Sequence, residues 1–156
     1  MGHVRDGELP LAVWRGVPKP VPLSDPGAGV PATYVPSQGE IEAVEAVTFT
    51  LATSATVAAR QAVVRFLDGQ ERIVAACPCP FTLSASKSQV VSLYVGANQF
   101  GANDGAFVGG PLYRRWLDGH VTLQIDAVNL KPGDTLTDIV LDVCGYPADW
   151  YDDAEG

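Results

Sequence analysis

Cys77-Pro78-Cys79 is the first place in this 156-residue sequence to look for chemistry, because it sets two thiols two positions apart. Zinc takes four ligands, and only Cys144, His3 and His120 remain to complete a set, at no recognisable spacing. Pro78 also stiffens the segment that a bond between the two thiols would have to bend. All three cysteines therefore read as small hydrophobes, the usual fate of free thiols. Acyl transfer would need His120 beside a nucleophile and an acid, and no Gly-x-Ser-x-Gly elbow exists. Asp126, Asp138 and Asp142 could supply the two carboxylates of a glycosidase, but each alternates with apolar residues, where solvated charge belongs. Asp104, with Asn98 and Asn103, offers oxygens to calcium without the spacing of a calcium loop. Five glycines between Gly96 and Gly110 invite comparison with a phosphate cradle, yet no Lys-Ser/Thr ending follows them. The expectation is a protein with no catalytic residues, no metal site and no cofactor.

The elements that would carry these residues are strands. Between His120 and Val143, Val121, Leu123 and Ile125 alternate with Thr122, Gln124 and Asp126. After Lys131-Pro132-Gly133-Asp134, the residues Ile139, Leu141 and Val143 alternate again with Asp138, Val140 and Asp142. Side chains on a strand point to opposite faces in turn, so this reads as a hairpin with one buried face. Glu40–Ala52, Gln61–Leu67 and Glu71–Ala76 read as three more strands, the last two joined by Asp68-Gly69. Pro78 and Pro80 then interrupt the chain, making Phe81–Ser86 a loop or an edge strand; Gln89–Val95 is a strand again. Gly96–Gly110 reads as a loop presenting Phe100 and Phe107. Seven or eight short strands without an amphipathic helix indicate an all-β chain, an antiparallel β-sandwich or jelly roll.

Residues 1–38 differ in composition, with seven of the twelve prolines and five glycines. They predict an extended Pro/Gly-rich N-terminal arm, neither helix nor central strand, that either reaches neighbouring subunits or lies along its own domain. Residues 39–147 form the β-sandwich domain and 148–156 an acidic tail. Leu9, Leu11, Val13 and Trp14 in the arm, with Tyr34 near its end, are apolar anchors suited to partner binding. Phe100 and Phe107 in the glycine loop, and Trp150 and Tyr151 in the tail, join them as candidates. A net charge of −8 argues against nucleic acid and against an anionic membrane as partners, since both need clustered Lys and Arg. The N-terminus lacks the apolar core of a signal peptide, and Asp6 stands where a myristoylation signal needs Ser or Thr. A cytoplasmic origin is expected.

One resemblance spans Ala46 to Val143, about two-thirds of the chain. VTFTLATSATVAARQAVVRFLDG (Val47–Gly69), a Gly-rich middle and GHVTLQIDAVNLKPGDTLTDIVLDV (Gly119–Val143) together resemble small β-sandwich virion proteins of tailed bacteriophages. The resemblance implies a structural role with no cofactor: a capsid decoration (cement) protein, or another head or tail component. It supplies no functional residues to carry over, and the arm lies outside it. Its implied partners are the major capsid protein and copies of the chain itself, with a homotrimer suited to quasi-threefold lattice points. The implied location is the capsid exterior, after assembly in host cytoplasm. The alternative is a carbohydrate- or receptor-binding sandwich, a head fibre or tail component, stacking Phe100, Phe107, Tyr113 and Trp116 on sugar rings.

Overall fold

The computed structural model describes residues 18–36 and 39–147, and among these every regular element is a strand. The chain forms β1 (Lys19–Leu23), β2 (Ala32–Tyr34), β3 (Glu40–Ala52), β4 (Arg60–Leu67) and β5 (Ile73–Leu83). It continues through β6 (Ser88–Tyr94), β7 (Phe107–Pro111), β8 (Trp116–Leu117), β9 (Thr122–Val128) and β10 (Thr135–Pro147). One sheet runs β1-β10-β3-β6-β7, with β8 pairing β3; the other runs β2-β9-β4-β5. All pairings are antiparallel except β6 with β7, which is parallel. Phe49, Leu51, Leu93 and Leu141 of the first sheet share one core with Phe66, Leu83, Leu123 and Ile125 of the second. Two sheets facing each other across one apolar layer are compatible with a β-sandwich.

The alternation expected between His120 and Val143 is present, and Leu123, Ile125, Ile139, Leu141 and Val143 are all buried. The hairpin is not. β9 belongs to the four-stranded sheet and β10 to the six-stranded one, so Lys131–Asp134 is a corner between sheets. Asp134 explains the corner. Its carboxylate accepts from Arg60 Nε at 2.9 Å, Arg60 Nη2 at 3.0 Å, Ser54 N at 2.7 Å and Lys131 N at 2.8 Å. Arg60 opens β4 and Asp134 precedes β10, so one fully buried ion pair bolts the two sheets together. Two hairpin arms would carry the same alternation, which records the buried face and not the sheet.

β5 runs straight through Cys77-Pro78-Cys79-Pro80, where the prolines lead one to expect an interruption. The strand survives because it is an edge, where a missing donor on the outer side costs no ladder bond. Thr82, of the same parity as both prolines, shows which way that side faces. Its N–H donates to Asn103 Oδ1 and its carbonyl accepts from Asp104 N, so neither is spent on β4.

The end of the glycine stretch is also strand, not loop. Gly109 permits it, since a Cβ there would lie 2.1 Å from the Ser92 carbonyl oxygen and 2.3 Å from the Phe100 ring. β1 and β2 fall inside the stretch 1–38, each at the edge of its sheet, where strands bearing prolines are tolerated.

Removing one partner of a buried ion pair leaves the other charged and unpaired. Asp134→Ala should therefore cost about 3–5 kcal/mol in urea denaturation, and Arg60→Ala a similar amount. Burial pushes the Asp134 carboxyl up, but the bonds from Arg60, Ser54 and Lys131 outweigh it and hold the value down at about 2. A lowered value means stability present above the ordinary 3.8 and lost as pH falls through about 2. Acid titration of the melting temperature should show a drop in that window that Asp134→Asn lacks.

Candidate functional site

The residues considered for chemistry do not converge. Asp126 lies on the four-stranded sheet, paired with Arg65, while Asp138 and Asp142 lie on β10 of the other sheet. His120 is exposed in the turn before β9, its backbone N–H donating to Asp118 Oδ1. Asp104 accepts from the backbone and hydroxyl of Ser84, and Asn103 from Thr82, so both pin the glycine stretch to β5. Cys77 and Cys79 sit in the core as free thiols pushed up by burial, and Cys77 Sγ accepts from Tyr113 N at 3.3 Å. Among the described residues, no three His, Cys, Asp or Glu side chains gather where a metal could be held.

The partner-binding candidates separate in the same way. Tyr34 is spent inside the domain: it is 9% exposed, and its hydroxyl donates to Glu42 on the opposite sheet. Burial first, and then the Glu42 bond, raises its pKa. Phe100 and Phe107 stack at 5.8 Å between ring centroids. Phe100 covers Gly109 and bonds its backbone in both directions, whereas Phe107 is 60% exposed. Leu9, Leu11, Val13, Trp14, Trp150 and Tyr151 lie outside the described residues.

The surface that does assemble is the outer face of the six-stranded sheet. Strand alternation sets it, because Leu93, Val108, Leu117, Leu141 and Val143 point into the core and their neighbours point away. Register then lays Val140, Thr48 and Ser92 in one row across β10, β3 and β6, with Thr48 Oγ1 and Ser92 Oγ 3.2 Å apart. Tyr94 and Phe107 stand on the same face towards its far edge.

At one end lies an open cleft of about 410 Å³. Its floor is Ala43 and Cys144, neighbours across β3 and β10. Trp116, opposite Ala43, and Tyr146 form one wall with ring centroids 5.3 Å apart. Arg114 Nη2 donates to Glu45 Oε1 at 2.7 Å to form another, and Pro18 closes a side. Burial, with the nearby Glu45 and Asp142, raises the Cys144 thiol. Tyr146 reads in the sequence as one more aromatic near the tail; only register brings it to Trp116.

No protein-family model, curated protein or solved structure matches the chain.

Gly109 is the residue on which the Phe107 side of this face depends. Gly109→Ala should destabilise by about 3 kcal/mol, as backbone and ring cannot both retreat. Gly119→Ala, with open space around its Cα, should stay within about 0.5 kcal/mol in the same urea titration.

Proposed function

We propose that the chain is a structural virion protein of a tailed bacteriophage, a capsid decoration protein that stabilises the major capsid lattice. The observation that carries this is the outer face of the six-stranded sheet, where Val140, Thr48, Ser92, Tyr94 and Phe107 form an uncharged patch, with Asp142 the charge beside it in the row of Tyr94, on a protein of net charge −8. Charge depletion with aromatic enrichment is what distinguishes the centre of a protein interface from ordinary surface. The pattern shared with phage sandwich proteins between Ala46 and Val143 supports the same reading. In it the sandwich is a jelly roll, the Pro/Gly-rich N-terminal arm extends the reach of the domain, and copies associate as a homotrimer on the capsid exterior. The role requires no catalysis or cofactor.

A second reading has its own observation. Trp116 is 49% exposed, tilted against Tyr146 and next to the Arg114–Glu45 pair, the combination of ring face and charged hydrogen-bonding groups that suits a sugar. It would make the chain a carbohydrate- or receptor-binding module.

Light scattering and co-sedimentation with capsids built from the cognate major capsid protein decide between them. The full chain should be a trimer that binds capsids saturably, and a chain lacking residues 1–13 should bind at least about tenfold more weakly, or about 1.4 kcal/mol. Thr48→Glu should weaken capsid binding comparably while leaving the melting transition in place, because it buries an unpaired charge only in the complex. A chain that ignores capsids and binds a glycan array through Trp116 would establish the second reading instead.

A further inference from the structure

We propose that the cleft beside Asp142 receives an arginine side chain of the partner protein that covers the outer face of the six-stranded sheet. The proposal rests on the decoration reading for that cover, and it names the chemistry the partner must bring.

Unpaired charge is the first argument. Leu141 and Val143 point into the core, so Asp142 between them points out onto the face. It is half-buried, with Pro20, Ala46 and Tyr94 in its row. The ion pairs formed among the described residues leave it out. Lys19, opposite Val143, and Arg115 are exposed, and neither of them pairs with it. A partner that covers this face takes the Asp142 carboxylate out of water. An uncharged cover would leave it buried and unpaired, and an acidic one would add repulsion. Only a cover that carries a cation answers it.

The cleft is the second argument, because it lies one step along the strand and suits that cation. Cys144, the next residue of β10 on this face, forms its floor with Ala43. Burial raises the Cys144 thiol most; Glu45 and Asp142 raise it further, and Arg114 lowers it. Two acids therefore act on the floor against one cation. Arg114 and Glu45 answer each other at 2.7 Å, which leaves the Asp142 charge in excess. Trp116, 49% exposed beside Tyr146, offers an aromatic surface to the same space. A cation over such a ring is drawn to its negative face, and more strongly once water is excluded.

Arginine fits these two features better than lysine. Its planar guanidinium stacks on a ring and still presents a fork of donors to a carboxylate, whereas an ammonium is a strongly hydrated point charge. The cleft, at about 410 Å³, has room for a long side chain entering from a partner's surface. A neutral sugar would use the ring and hydrogen-bond Asp142 without cancelling its charge.

The test reads the Trp116 indole N–H by NMR on the isotope-labelled full chain, its signal identified by its loss in Trp116→Phe. Nα-acetyl-arginine amide should shift it saturably. The citrulline counterpart, of the same shape without the charge, should not do so at equal concentration. Asp142→Asn should weaken the arginine response at least about threefold, with the melting transition in place. In co-sedimentation with capsids the same variant should bind about thirtyfold more weakly, the cost of stripping one partner from a desolvated charge pair. Equal shifts from arginine and citrulline, or a stronger response to methyl glucoside, would overturn the proposal. So would capsid binding that Asp142→Asn leaves unchanged. An arginine response in a chain that ignores capsids would uphold the chemistry of the cleft and remove the decoration role alone.

Discussion

The buried Arg60–Asp134 pair is the constraint on which the two-sheet arrangement hangs. Desolvating a guanidinium and a carboxylate costs several kcal/mol each, and it is tolerated only where nearly every lone pair and donor is answered. Here it is: Asp134 accepts four hydrogen bonds, and Arg60 also donates to the Ala58 carbonyl and the Ser54 hydroxyl. The answering groups come from the β3–β4 and β9–β10 connections, and Gly29 N adds the β1–β2 connection through the Asp134 carbonyl. Three chain crossings are thereby fixed at one end of the molecule. At the other end of β3, the Tyr34–Glu42 bond joins the sheets again. Between them lies an apolar layer that specifies burial but not register; the two polar ties add direction to it.

The margins of the sheets are settled by a different means. β1 carries Pro20 and Pro22, and β5 carries Pro78 and Pro80, each two positions apart on an edge strand. Residues of one parity point their N–H groups to the same side, so each pair of prolines strips two donors from that edge. β7 is covered in part by Phe100, which exchanges both backbone bonds with Gly109, and β2 is only three residues long. Exposed edges invite strand addition and aggregation, and these are blunted in the ways that discourage it. A partner is left with the faces.

Much of this was legible in the sequence, and the failures have a common cause. Glu40–Ala52 and the buried residues of β9 and β10 follow from alternation alone, because side-chain period and burial are local facts. That β9 and β10 belong to different sheets is not local: it depends on Asp134 finding Arg60, 74 positions away. The prolines of β5 stop a central strand and not an edge one, and edge status is again a property of the assembled sheet. Tyr34 reads as an exposed anchor in a proline-rich stretch and is instead drawn inside by Glu42. The cleft was least legible, as Trp116, Ala43 and Cys144 become neighbours only through the pairings of β8, β3 and β10.

The uncharged row of Val140, Thr48 and Ser92 and the acidic whole belong to one argument. Net charge keeps copies of a protein apart in solution, yet at physiological ionic strength its reach is only about 8 Å. Two copies meeting at random are repelled before the threonine and serine row of either can be covered. That row is also too polar to drive association by itself, since Thr48 and Ser92 give up hydration when buried. Lasting contact through this face therefore needs a second point of attachment that raises the local concentration without adding charge to the face. In the proposed reading the residues before β1 would supply that attachment, and β1 borders the same sheet. Row and arm together would give selectivity that neither supplies alone: a weak uncharged row that holds only what the arm has already brought near.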